Sequence, residues 1–146
     1  MGGPDVTRTL TEIEAAVRAS WDAQTCDPVD LPWSGDNPSK GQCGVTALVL
    51  NDLLGGDLLS AEVLFPDGTR QGWHTWNVFG GTDVDDGFQV DLTGEQFVAG
   101  EQIQPAKRIT RPPGRPSRTP ERYDLLRERV LTRLGRQVTE VTTEGA

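Results

Sequence analysis

Three side chains of the types that act together in nucleophilic catalysis occur in the order Cys43, His74 and Asp91. A cysteine thiolate attacks an acyl carbon, an imidazole takes and returns the proton, and a carboxylate orients the imidazole. His74 is the only histidine of the chain. The sequence therefore supplies a nucleophile, a base and an orienting group.

The segment around Cys43 predicts one buried helix. Turn residues occupy 37–41, no helix breaker occurs in 42–54, and Gly55 and Gly56 follow, where a helix C-cap is expected. Cys43 would then lie in the first turn, among backbone N–H groups at the positive end of the helix dipole, which favours a thiolate. The alternative is that Cys43 packs as a small hydrophobe, as most free cysteines do.

Three strands in a meander are predicted after this helix. The first covers 57–65, where one alternate set of residues is wholly apolar: Leu59, Ala61, Val63 and Phe65. A hairpin turn at 66–68 leads to a second strand at 69–79, and a turn at 80–87 leads to a third at 88–93. A simple register sets Asp91 on the third strand beside His74 on the second.

The sequence indicates one α+β domain of 146 residues with polar ends. A first helix, capped by Thr9 or Thr11, is expected to end near residue 23. We expect the core to span 1–104, followed by a basic, proline-rich extended segment at 105–118 that is not packed. A last helix, capped by Thr119, would occupy 119–146, with its tail frayed from Gly135 onward.

Composition excludes several classes of function. The formal charge of -8 argues against general binding to nucleic acid or to an anionic membrane. One histidine and two separated cysteines, Cys26 and Cys43, make no zinc site by themselves and no disulfide scaffold, so no metal and no cofactor are expected. No apolar run reaches signal-peptide or membrane-spanning length, so a cytoplasmic location is expected.

Three separated motifs carry a resemblance to a known family. They are WSGDNPSKGQCGVTALVLNDLLGG, HTWN and VDLTGEQF, in this order. Together they resemble the YunG-like family of small bacterial proteins, over about residues 21–97. The resemblance implies a layout similar to that of papain-like and transglutaminase-like cysteine enzymes, with a cysteine-bearing helix packed on an antiparallel sheet.

The resemblance also implies roles for individual residues. Cys43 would be the nucleophile, His74 its base and Asp91 the orienting group. Gln42 and Asn77 would be oxyanion or supporting groups, unless Gln42 instead caps the helix. Apart from the resemblance, Trp33 and Trp76 are expected to be core and wall residues or to line a substrate groove that leads to Cys43. The backbone N–H of Cys43 would share the oxyanion with Gln42.

Several interpretations stay open. The first is a cysteine amidohydrolase or acyltransferase acting on a peptide, a protein or a small amide; peptidase, deamidase and transglutaminase share this triad. The second is a non-catalytic module that binds a peptide or small molecule. A third, a thiol sensor, would pair Cys43 with Cys26. His74 would otherwise be a core histidine, and Asp91 would otherwise only cap the turn that ends at Thr93.

Two charged segments have simpler explanations. The acidic turn that contains Asp83, Asp85 and Asp86 is expected to be solvated rather than to bind a cation. The basic segment at 105–118 is expected to dock on the chain's own acidic surface or to be solvated, with an acidic partner as the alternative. The sequence does not indicate an oligomeric state.

Overall fold

The structure of the protein is a computed structural model that describes residues 9–114, 116 and 120–144. Its helices are α1 (Leu10–Ser20), α2 (Cys43–Leu54) and α3 (Pro120–Glu144), and short 3₁₀ turns occupy Pro28–Asp30 and Gly94–Gln96. The strands are β1 (Asp57–Leu64), β2 (Arg70–Phe79), β3 (Phe88–Val90), β4 (Gln102–Ile103) and β5 (Lys107–Ile109). The α+β class predicted from the sequence is confirmed at this level.

One antiparallel, open sheet contains all five of these strands. Its order is β3-β2-β1-β4, and β5 pairs with β1 beside β4. The hairpin of β1 and β2 turns at 66–68, where Phe65 and Thr69 are joined by a backbone hydrogen bond of 2.7 Å. The predicted meander of β1, β2 and β3 is thus present, but β3 ends at Val90 rather than at Thr93, so Asp91 lies just beyond the strand. Phe65 lies just beyond β1 and is 43% exposed, so the buried apolar set of the strand ends at Val63 rather than at Phe65.

The start of α1 follows from local chemistry. The Thr9 side chain accepts from the backbone N–H of Glu12, and the Glu12 carboxylate accepts from the backbone N–H of Thr9. This capping box satisfies two N–H groups that a helix start leaves without partners. The helix ends at Ser20, three residues before the predicted end.

The three helices share one hydrophobic core, in which α3 packs against both α1 and α2. Members from all three helices are buried, among them Val17, Val49, Leu50, Leu126 and Val130. The core continues into the third strand and its following turn through Val90 and Leu92. This packing fixes the cysteine-bearing helix between the sheet and the C-terminal helix.

Residues 107–111 of the basic segment are packed, which corrects the prediction of an unpacked extended stretch for this part of it. Lys107–Ile109 forms β5 against β1, and the Arg108 guanidinium lies 2.9 Å from the Asp57 carboxylate. Arg111 pairs with Asp52 of α2. The segment therefore docks on acidic side chains of the same chain, and the sheet extends beyond residue 104.

The structure describes only part of the C-terminal region, for which the sequence predicted a helix cap, a basic segment and a frayed helix end. Thr119, the predicted cap of the last helix, and Arg115 and Arg118 of the basic segment lie outside the described residues. The helix α3 extends through Glu144, so its backbone is helical beyond Gly135. In the described part of the chain, we find no helix with both the length and the apolar character needed to span a bilayer.

Candidate functional site

Cys43 occupies the first position of α2. Gly41, with a φ of 72°, makes the turn into the helix, and the first intrahelical bond runs from Thr46 N to Gln42 O. The N–H groups of the residues in this first turn have no acceptor within the helix. Cys43 is partly exposed, and its Sγ lies 3.8 Å from the backbone carbonyl oxygen of Trp73 on β2.

His74 on β2 is fully buried, with an exposed fraction of 0%. Its Nε2 lies 2.7 Å from Oδ2 of Asp91, and its Nδ1 is buried without a hydrogen-bond partner. The imidazole stacks on Trp76 at a centroid distance of 5.1 Å and meets the edge of Phe97 at 4.8 Å. These contacts hold the ring in one orientation, with one nitrogen bound and the other available.

Asp91 follows β3 directly and serves two partners. Its Oδ2 contacts His74, while its Oδ1 accepts from the backbone N–H of Thr93 at 3.2 Å. Asn77 of β2 pairs with Val90 of β3, so Asp91, the residue after Val90, lies next to β2. Asp91 therefore contacts the imidazole and caps the turn at the same time, because a carboxylate has two acceptor oxygens.

The electrostatic environment favours the charged form of His74. Burial acts to lower the pKa of His74, but the hydrogen bond to Asp91, the closeness of Cys43 and the negative charge that each of these groups carries when ionised raise it to about 9. Cys43 is one of the groups that cause this shift, so it lies near the imidazole. A raised pKa favours the charged form of the ring at neutral pH.

Two side chains that sequence analysis did not assign to the site hold the turn before Cys43. Gln96 accepts from the backbone N–H of Gly41 at 3.2 Å through its side chain and from the Asn37 amide at 3.0 Å through its backbone. Arg122 of α3 donates to the carbonyl oxygens of Thr25 and Gly41. No local pattern reveals either contact, because the partners are 55 to 97 residues apart.

Gln42 and Asn77 were predicted as oxyanion or supporting groups, and the structure places their amides elsewhere. Gln42 is fully buried and its Nε2 donates to the carbonyl oxygen of Asp22 at 3.1 Å. Asn77 is also buried and donates to the carbonyl oxygen of Ala47, one turn beyond Cys43, at 2.9 Å. Both side chains therefore anchor α2 to its neighbours. The side-chain N–H groups of both amides that form these bonds are therefore directed at backbone carbonyl groups of the same chain.

A cavity of about 400 Å³ opens beside Cys43, and Trp73 lines it. The predicted groove residues Trp33 and Trp76 do not. Trp33 is tied to its own loop by a 2.9 Å bond to Pro38 O, and Trp76 packs on His74 and donates to Gln89. Residues 73 and 76 are an odd number of positions apart, so they point to opposite sides of β2.

Cys26 is buried under the turn at Gly41. Burial, followed by the nearby Asp30 carboxylate, raises the pKa of the Cys26 thiol to about 11. A Cβ at Gly41 would lie 2.6 Å from the Cys26 sulfur, so the two positions are in close contact. Both cysteines are free thiols, and Cys26 is a packing residue in this state.

The described residues contain no cluster of three or more histidine, cysteine or acidic side chains suited to a metal ion. In the acidic turn, the Asp86 carboxylate accepts from the backbone N–H groups of Thr82 and Asp83. Those bonds and the approach of Arg108 at 3.9 Å account for this carboxylate without a cation.

Comparison with known proteins identifies one family. The family model described as YunG protein matches residues 9–135, which is a wider span than the motifs alone indicated. A Bacillus subtilis (strain 168) protein named "Uncharacterized protein YunG" is 30% identical over 95 residues, covering 65% of this chain and 69% of the relative. No solved structure is significantly similar to the chain. The resemblance predicted from the three motifs is thus confirmed.

Proposed function

The chain belongs to the YunG protein family, and we propose that it is a cysteine-dependent amidohydrolase or acyltransferase with Cys43, His74 and Asp91 as its catalytic residues. The observation that carries the proposal is the buried imidazole, whose Nε2 lies 2.7 Å from Asp91 while its Nδ1 is unpartnered beside a cysteine at a helix start. The proposal includes a papain-like or transglutaminase-like arrangement of helix and sheet.

The proposed reaction has two halves. The Cys43 thiolate attacks the acyl carbon, and N–H groups at the start of α2 stabilise the oxyanion through their unpaired hydrogens and the helix dipole. His74 then gives its proton to the leaving amine, and an acyl-thioester remains on Cys43. Water, or a second amine, attacks this thioester and His74 takes up the proton, which frees the cysteine.

Asp91 acts on His74 rather than on the substrate. Its carboxylate stabilises the imidazolium and keeps the ring oriented with Nδ1 toward Cys43. Its second oxygen is bound by Thr93, so the carboxylate cannot rotate freely. A reduced thiol is required, which fits the cytoplasmic location expected from the sequence.

A non-catalytic binding module is the second candidate, and the half-exposed Trp73 favours it. This indole is 55% exposed at the rim of the cavity and lies under the Arg70 guanidinium at 5.1 Å. An exposed aromatic side chain of this kind is typical of surfaces that hold a peptide or small ligand. The two candidates differ in whether Cys43 is chemically activated.

The first prediction is that Cys43 reacts rapidly with iodoacetamide at neutral pH and that His74→Gln slows this reaction by about tenfold or more, because an imidazolium neighbour promotes the thiolate. The rate would be measured between about pH 6 and about pH 9, with peptide mapping by mass spectrometry to separate Cys43 from Cys26. Asp85→Asn, in an exposed turn, is the matched control.

Equal rates in the parent chain and in His74→Gln would remove the enzyme proposal and favour the binding module. Accumulation of an acyl-Cys43 adduct from a thioester or an activated amide, detected by intact mass, would support the enzyme. If that adduct is lost in water alone, the reaction is hydrolysis. If its loss requires an added amine, the reaction is acyl transfer.

A further inference from the structure

The strand that carries His74 has an edge that is only partly covered. β3 pairs with β2 at Asn77, Val78 and Phe79 only. Among the described residues, no strand therefore covers positions 72–76 of β2 on the side away from β1. Backbone groups on an uncovered edge are a template for another extended chain.

The hydrogen-bonding pattern of β1 shows which of these backbone groups point outward. Glu62 pairs with Trp73, and the Glu62 carbonyl oxygen accepts from Gln104 N at 2.8 Å, on the side away from β2. In an antiparallel pair of strands, the backbone N–H and C=O groups of two opposed residues either bond each other or all point away from the partner strand. The N–H and C=O of Trp73 consequently point away from β1, and those of Thr75, two positions on, do the same.

The outward groups of Trp73 lie at the proposed nucleophile. The Trp73 carbonyl oxygen is 3.8 Å from Sγ of Cys43. Trp73 and Thr75 line the cavity that contains Cys43, and the buried side chain of Val45 and the partly buried Leu48 form an apolar part of its wall. The cavity thus combines main-chain donors and acceptors, an apolar wall and a thiol.

We propose that the substrate is an extended polypeptide segment, which adds to the open edge of β2 as a strand and pairs with the backbone of Trp73 and Thr75. This pairing sets a carbonyl carbon of the bound segment beside Sγ of Cys43. The proposal rests on the proposed role of Cys43 as nucleophile. A small amide would leave the edge groups of β2 unused, whereas an extended main chain satisfies them in register.

The test compares two peptide electrophiles on the full chain. One is acetyl-Ala-Ala-Ala-chloromethyl ketone, from which the thiolate displaces chloride to leave a thioether. The other carries an N-methyl group on its last alanine, which removes the N–H that would donate to Trp73 O. We expect the second-order rate constant of inactivation to be about tenfold lower for the methylated peptide, the effect of one lost hydrogen bond with a desolvated partner.

A pair of variants tests the hydrogen bond that the backbone N–H of Trp73 would donate to the bound segment. Trp73→Pro lacks the backbone N–H, whereas Trp73→Ala keeps it and loses the same indole. The ratio of the peptide rate to the iodoacetamide rate is expected to be about tenfold lower in Trp73→Pro. Circular dichroism shows whether both variants fold. The comparison with the methylated peptide uses the parent chain, so it does not depend on the folding of a variant.

The outcomes separate this inference from the proposed function. Equal reactivity of the two peptides in a chain whose iodoacetamide reaction depends on His74 would overturn the edge-strand inference and leave the enzyme proposal standing. Failure of the His74 dependence itself would remove the enzyme proposal. A selective loss with the methylated peptide, on a His74-dependent thiol, supports both.

Discussion

At the scale of single residues, His74 combines full burial with surroundings that raise its pKa to about 9. Burial alone would keep an imidazole neutral, so the charge depends on Asp91 and Cys43. Asp91 can serve both His74 and Thr93 because its two oxygens point to different partners. The imidazole is the only one in the chain, so its titration can be followed without ambiguity.

The stability of the fold should therefore depend on pH through His74. Its folded-state pKa of about 9 lies above the ~6.5 expected in the unfolded chain, so the folded state binds the proton more tightly. The resulting stabilisation is complete below about pH 6.5 and is lost as the pH rises through about 9. Urea unfolding across this range, with NMR titration of the imidazole, measures it.

The matched comparison is His74→Gln, which removes the titrating group. The free energy of unfolding of this variant should vary less between about pH 6.5 and about pH 9 than that of the parent chain. Asp91→Asn should lower the pKa of His74, because it removes the charge that faces Nε2. An unchanged titration curve in Asp91→Asn would contradict this account of the charge.

At the scale of elements, the turn into α2 positions Cys43. Gly41 adopts a left-handed backbone conformation at a φ of 72° and lies against the Cys26 sulfur. Gln96 and Arg122 bind the backbone of the same turn from the third strand's exit and from α3. Cys43 is thus held by contacts from three separate parts of the chain.

Gly41→Ala should destabilise the fold by about 2 kcal/mol or more, because it adds a steric clash with Cys26 to the strain of a left-handed alanine. Gly68→Ala is the control, since Gly68 has a φ of 90° and an open surrounding. In that variant the free energy of unfolding should fall only by the backbone strain, about 1 kcal/mol. Chemical denaturation of both gives the difference, and equal costs would show that the turn relaxes around the new methyl group.

At the scale of the whole molecule, α3 closes the fold over α2 through polar contacts as well as the apolar core. Asp52 of α2 is bound by Arg111, by the Tyr123 hydroxyl and by Arg127, the last at 3.4 Å. Arg111 also donates to Leu48 O at 3.0 Å. One carboxylate therefore joins α2, the segment after β5, and α3.

Asp52→Ala should destabilise the protein by about 2 kcal/mol, because it removes the carboxylate that pairs with the mostly buried Arg111 and accepts from the buried Tyr123 hydroxyl. The partial exposure of the carboxylate keeps this cost below that of a fully buried pair. Thermal and urea unfolding measure the change, and Asp85→Ala in the exposed acidic turn is the control. A cost near that of the control would show that the cluster does not stabilise the packing of α3.

Several local features were predictable because neighbours along the chain determine them. The helix from 43 to 54 follows from an unbroken apolar run that ends in two glycines, and the hairpin follows from alternation around a proline-aspartate-glycine turn. The short connection between β2 and β3 limits where Asp91 can lie, so its approach to His74 was also within reach of the sequence. The α+β class and the order of the first three strands rest on the same signals.

Only the tertiary structure decided which side chains meet across long separations. The segment at 107–109 pairs with β1, where Asp57 binds Arg108, and Asp52 binds Arg111 just after it; no local pattern encodes those partners. Gln42 and Asn77 bind backbone carbonyl groups, so the types of these residues did not reveal their direction. Neighbouring residues along the chain thus define α1, α2 and the hairpin of β1 and β2, whereas β4 and β5 form only against β1. The register and packing of the elements decided that Trp73 rather than Trp33 or Trp76 lines the cavity, since a side chain's surroundings depend on elements distant in the chain.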